Sequence, residues 1–112
     1  LMVTKMDFEQ IMEMIREKAA SYDSSKYHGF MAVQVTLTDL NKVFYGEIKE
    51  GKLSIEPYGY HDKQAHLITD SEKFIRLING KLNPIAAFTL GQLRVEGDIQ
   101  KALALANLFK QG

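Results

Sequence analysis

Leu77-Ile78-Asn79-Gly80-Lys81-Leu82-Asn83-Pro84-Ile85-Ala86-Ala87-Phe88-Thr89-Leu90-Gly91-Gln92-Leu93-Arg94-Val95-Glu96-Gly97-Asp98 is the stretch whose reading decides the fold. It holds two helix ends, a helix start and a short strand, with almost no slack between them. Gly80 is the residue type that ends a helix in the left-handed conformation. Asn83 can cap the next helix, and Pro84 fits its first turn, where a missing N–H costs nothing. Gly91 closes that helix. Leu93 and Val95 then alternate with Gln92, Arg94 and Glu96, as in a strand with one buried face. Asp98 caps a final helix.

Upstream, Asp7 with Gln10 three residues later forms a capping-box pattern. Phe8, Ile11, Met12, Ile15, Ala19 and Tyr22 follow at helical spacing, opposite Glu9, Glu13, Arg16 and Glu17. Met14 adds apolar surface at the edge of that stripe. Residues 21–29 read as a polar linker. A meander follows, with strands predicted over 30–37, 43–47 and 52–56 and a tight hairpin turn at Glu50-Gly51. Residues 57–63 break the pattern as a loop, and 65–69 read as a fourth strand. Asp70 or Ser71 caps a helix over 72–79, whose buried stripe is Phe74, Leu77 and Ile78. A fifth strand is predicted over 93–96. Two helices separate it from the fourth, so it need not lie beside it, and its neighbour stays open.

This order predicts one α+β domain over 1–112, with helices packed on one face of the sheet. The last helix, 98–110, is apolar at Ile99, Ala102, Leu103, Ala104, Leu105, Ala106, Leu108 and Phe109. A one-sided surface helix shows an apolar stripe of about 100°. This one is wider and needs cover on two sides. It is sandwiched in the core, docks a partner chain, or walls an apolar cavity.

The 14 basic and 14 acidic residues balance, so the net charge by itself gives no electrostatic reason to propose nucleic acid or an anionic membrane surface. With no cysteine, disulfides, thiolate metal sites and cysteine nucleophiles are excluded. No apolar run reaches the roughly 20 residues of a spanning helix, so no stable membrane insertion is expected. Leu1 reads as an addition before a natural start at Met2, without a signal-peptide pattern. His61, His66 and Asp62 make only a weak metal cluster, His28 lies in the linker, and no serine sits in a nucleophile elbow. Gly91 and Gly97 bracket a strand and so cannot cradle a phosphate in the usual way. Tyr45, Tyr58 and Tyr60 are amphipathic and suit a cavity mouth, an interface or a solvated loop. No catalytic residue, metal or cofactor is expected.

The opening stretch resembles the signature of the sterol carrier protein type two domain family. That pattern is met by Leu77, Gly80, Lys81, Leu82, Asn83, Pro84, Ala87, Phe88, Gly91, Leu93, Arg94, Val95, Gly97 and Asp98. The hairpin with Gly51-Lys52-Leu53, the segment 65–67 and the terminal Leu108-Phe109 extend the resemblance over 30–109, while the first helix fits by position only. The resemblance implies a mostly antiparallel five-stranded sheet with helices over one face and an apolar tunnel between. It also implies non-catalytic binding, transfer or presentation of a fatty acid, fatty acyl-CoA or related lipid. The cavity residues it suggests are Met12, Ile15, Phe74, Ile78, Ile85, Phe88, Leu103, Ala106 and Phe109. Phe44 stands where many members carry Trp, and the ending Lys110-Gln111-Gly112 lacks a peroxisomal address. A stand-alone prokaryotic-type member in the cytoplasm is therefore expected, with a ligand other than a sterol. Members also serve as appendages of enzymes and as assembly factors, one of them in ubiquinone synthesis. The alternative is an interaction module, with the last helix pairing in a homodimer or docking on an enzyme of a lipid pathway.

Overall fold

The structure is a computed structural model that describes residues 6–110. The start at Leu1 and Met2 and the final Gln111-Gly112 lie outside the described residues. Helix α1 (Phe8–Ala20) begins with the reciprocal cap that the sequence predicts. The Asp7 carboxylate accepts the Gln10 N–H at 2.8 Å, and the Gln10 side chain accepts the Asp7 N–H at 2.9 Å. Ile11, Met12, Ile15 and Ala19 are its buried stripe. A single 3-10 turn at Ser24–Lys26 interrupts the linker, and the Ser24 hydroxyl donates to the Gly51 carbonyl at 2.6 Å.

Strands β1 (Met31–Leu37), β2 (Lys42–Lys49) and β3 (Lys52–Glu56) form the meander. Glu50 and Gly51 both take positive φ (52° and 77°), the turn that matches strand twist. With β4 (Ala65–Thr69) and β5 (Arg94–Gly97) the sheet order is β3-β2-β1-β4-β5.

This sheet is mixed, which corrects the expectation of a mostly antiparallel one. At its centre β1 runs parallel to β4, from Val33 opposite Ala65 to Leu37 opposite Thr69. The cause is the loop over 57–64, which crosses the outer face of β1 rather than turning back beside β3. The Gln34 side-chain carbonyl accepts the Tyr60 N–H at 2.9 Å, and Gln64 exchanges hydrogen bonds with the Ala32 backbone at 2.8 and 3.0 Å. A chain delivered to the far side of β1 in the direction of β3 must run parallel to β1. The fifth strand does lie beside the fourth, antiparallel at the sheet edge, after the two-helix excursion.

Asp70 caps α2 (Ser71–Ile78), Asn83 caps α3 (Pro84–Thr89), and the Asp98 carboxylate accepts the Gln100 and Lys101 N–H groups at the start of α4 (Ile99–Lys110). Helix α2 begins one residue earlier than the sequence suggests. Ser71 is buried in its first turn, and its N–H and hydroxyl donate to Asp39 at 2.9 and 2.5 Å. The core lies between the sheet and α1, α2 and α4. Helix α4 packs against α1, α2, β1, β4 and β5, which settles its wide apolar face as largely sandwiched within the chain. It comes down hard on β2 at Gly46, where a Cβ would stand 2.8 Å from Leu105 Cδ1.

Candidate functional site

An apolar groove of about 250 Å³ opens at the β5 edge, between α3, α4 and the inner face of the sheet. Its floor is Leu67 of β4 with Leu93 and Val95, the two residues that strand alternation turns toward the helices. Leu77 of α2 and Pro84, Ile85 and Phe88 of α3 form one wall. Ile99, Ala102, Leu103 and Ala106 of α4 form the other, and Gln100 is the only lining residue with a polar side chain. Ile85 (66% exposed), Phe88 (40%) and Ile99 (40%) stand at the rim, so the groove communicates with solvent.

Of the nine residues expected to line a cavity, the structure brings Ile85, Phe88, Leu103 and Ala106 together at this groove. It places Met12, Ile15, Phe74, Ile78 and Phe109 in the packed core, each at most 3% exposed. There the rings form a chain: Phe8 to Phe44 at 6.4 Å, Phe44 to Phe74 at 5.5 Å, and Phe74 to Phe109 at 6.4 Å between centroids. The space expected for a tunnel holds these rings. The groove residues that sequence reasoning missed include Leu67, Leu77, Pro84, Leu93, Val95, Ile99, Gln100 and Ala102. The alternation of Leu93 and Val95 and the helical spacing of Ile99, Ala102, Leu103 and Ala106 were the available signals.

The polar chemistry lies on the opposite face of the sheet. His66 is half-buried there; its Nε2 stands 2.6 Å from Thr36 Oγ1 and 3.4 Å from Gln34 Nε2, and its Nδ1 stands 3.5 Å from Glu96. Gln34 Oε1 accepts the Tyr60 N–H, so its amide nitrogen is the donor toward His66 and the imidazole Nε2 accepts. Burial holds the His66 pKa below its ordinary value, against the opposing pull of Glu96. Tyr45, Tyr58 and Tyr60 cluster on this same face, with Tyr45 4.7 Å from Tyr60 and 5.5 Å from Tyr58 between ring centroids. A hydrogen bond to Glu47 and partial burial push Tyr60 up to about 12. These tyrosines do not touch the groove. His28 and His61 are exposed, and among the described residues no three His, Cys, Asp or Glu side chains stand where they could share a metal ion.

Residues 8–110 match the SCP-2 sterol transfer family. The chain belongs to that family. Sterol carrier protein 2 from Homo sapiens is 32% identical over 65 residues, which make up 58% of this chain and 12% of that protein. Among solved structures of the same fold is palmitated SCP2L2 from Aedes aegypti, with a TM-score of 0.63 and 17% identity over 93% of this chain and 95% of that one. Another is the stereoselective inverting sec-alkylsulfatase Pisa1 from Pseudomonas sp.. Its TM-score is 0.72 at 17% identity, over 80% of this chain but only 14% of the sulfatase. At these identities the likeness is one of fold, and the SCP-2 sterol transfer fold occurs both alone and within a larger protein. No helix among the described residues is long and apolar enough to cross a membrane.

Proposed function

We propose that this chain is a non-catalytic carrier that binds a fatty acid, fatty acyl-CoA or related lipid by its hydrocarbon end and transfers or presents it unchanged. The observation that carries this reading is the groove, whose lining is apolar except for Gln100. Each methylene withdrawn from water contributes about 0.8 kcal/mol, so a hydrocarbon chain binds there without any charged partner. The palmitate named for the SCP2L2 structure is in keeping with that chemistry, and the sterol transfer family with hydrophobic cargo.

A volume of about 250 Å³ is below the roughly 300–1,000 Å³ typical of sites that enclose a drug-sized ligand. The groove as it stands takes the end of a chain. A longer chain passes inward as a tunnel only by displacing buried core side chains such as Phe74 and Phe109. The outer-face histidine and tyrosines take no part. The setting that suits such a carrier is the cytoplasm.

Native mass spectrometry of the purified protein, paired with uptake of a fluorescent fatty acid, tests the carrier. A lipid adduct and saturable uptake with displacement by palmitate are expected. A protein that purifies empty and takes up no fluorescent fatty acid overturns the reading.

A further inference from the structure

Among the described residues, four of the five large hydrophobic residues that stand exposed lie on one side of the molecule: Ile85 (66%), Phe88 (40%), Leu90 (73%) and Ile99 (40%). The fifth, Tyr58, belongs to the aromatic cluster on the outer face. Ile85 and Phe88 are three residues apart and share one face of α3, and with Ile99 they form the groove rim. Leu90 caps the C-terminus of α3 just beyond them and does not line the groove. The helix is held to the body from its other side, through Ala87, its one buried residue, whose carbonyl accepts the Gln92 and Leu93 N–H groups.

The charge around this rim is sparse. Residues 79–93 contain a single ionised side chain, Lys81, and it is exposed. Lys81 stands beside Arg76, whose carbonyl accepts its N–H at 2.8 Å, so the α2–α3 corner presents two cations. Asp98 flanks the far side, but its carboxylate is engaged by the first N–H groups of α4.

We propose that this rim seats the protein on a phospholipid bilayer, with Ile85, Phe88, Leu90 and Ile99 entering the headgroup–acyl boundary and Lys81 and Arg76 facing anionic headgroups. A stable protein interface needs about 800 Å² on each partner, with a hydrogen-bonding rim. The exposed parts of four side chains, on α3, at its C-terminus and at the start of α4, do not offer that area. Interfacial insertion asks only for apolar side chains beside cations. The rim is also the groove entrance, so a hydrocarbon chain passes from bilayer to groove without exposing its length to water.

This inference rests on the carrier reading, and the test separates the two. The full chain is sedimented with phosphatidylcholine vesicles, with and without phosphatidylserine, and uptake of a fluorescent fatty acid is measured apart from vesicles. The unaltered protein is expected to bind, more tightly with phosphatidylserine. Leu90→Asp is expected to lower partitioning by about tenfold or more. Because Leu90 lies outside the groove lining, fatty acid uptake in solution stays unchanged. Leu90→Gln is expected to weaken binding in the same direction, which separates lost apolar insertion from charge repulsion.

Failure of the unaltered protein to bind vesicles overturns the proposal. So does equal binding by Leu90→Asp, or a dimer of the unaltered protein that Leu90→Asp dissociates. Vesicle binding that depends on Leu90, in a protein that takes up no fatty acid, supports the docking surface and overturns the carrier reading instead.

Discussion

The space beneath α1, α2 and α4 and the space beneath α3 are lined by the same kinds of side chain, yet the first is filled and the second is open. In the first, Phe44, Phe74 and Phe109 are each at most 1% exposed and their rings touch in series. In the second, α3 is anchored by Ala87, while its large residues Ile85 and Phe88 stand at the rim. A helix that turns its bulk toward the sheet completes a core. One that rests on a small residue holds its bulk at the edge and leaves a groove of about 250 Å³. The same apolar composition thus yields a packed core in one place and an open groove in the other.

The sharpest way to break this contrast is to truncate one phenylalanine on each side. Phe74→Ala removes a ring packed between Phe44 and Phe109 and is expected to cost about 3–5 kcal/mol in chemical denaturation. Phe88→Ala removes a ring that is 40% exposed and is expected to cost less than about 1 kcal/mol. The ranking reverses for ligand. Phe88→Ala should weaken fluorescent fatty acid binding about tenfold, the equivalent of roughly 1.4 kcal/mol of lost contact. Equal stability losses for the two variants would show that groove and core are not distinct.

A second effect, intermediate in size, comes from the backbone that joins the regions. Gly97 ends β5 with φ of 85°, and a Cβ there would meet the Gln64 carbonyl oxygen at 2.5 Å and Ala65 Cα at 3.2 Å. Gly97→Ala therefore combines left-handed strain with a backbone clash, and about 2 kcal/mol of destabilisation is expected. Its signature is local. The Asp98 N–H donates to Gln64 at 2.9 Å, and its hydrogen exchange should accelerate more than that of amides in β1. A uniform loss of protection across the sheet would count against a local effect at this edge.

What was legible in the sequence follows the range of the forces involved. The caps at Asp7, Asn83 and Asp98 act within a few residues, and all are where their residue types predict. The turn at Glu50-Gly51 and the stop at Gly91 (φ 76°) are similarly local. The parallel pairing of β1 with β4 is not legible, because period-two alternation looks the same for either direction. It depends on where the loop over 57–64 crosses, through Tyr60 to Gln34 and Gln64 to Ala32. The Asp39–Ser71 contact spans 32 residues and left no mark in the local pattern. The groove is legible only in part. Ile78 and Ile85 are the same residue type on successive helices, and only packing decides that one is 1% exposed and the other 66%.

The smallest effect tests whether the groove side also loosens first under acid. His66 on β4 stands opposite Glu96 on β5, so it bridges the strand pair that floors the groove. Burial lowers its pKa from the ordinary 6.5, with Lys63 and Arg94 adding to that direction and Glu96 opposing it. The folded state therefore prefers the neutral imidazole, whose Nε2 stands within hydrogen-bond reach of Thr36 and Gln34. Its contribution is fully present above about pH 6.5 and is lost as pH falls through the lower folded value, because the unfolded chain then binds the extra proton. Amide exchange in β5 should accelerate over that window before exchange in β1 and β2 does. His66→Gln, which cannot take up the proton, should flatten the acid dependence while leaving fatty acid uptake at neutral pH intact. A protein whose β5 protection is unchanged on acidification through that window would place the β4–β5 edge in the same cooperative unit as the aromatic core, and the two regions would then differ in packing alone.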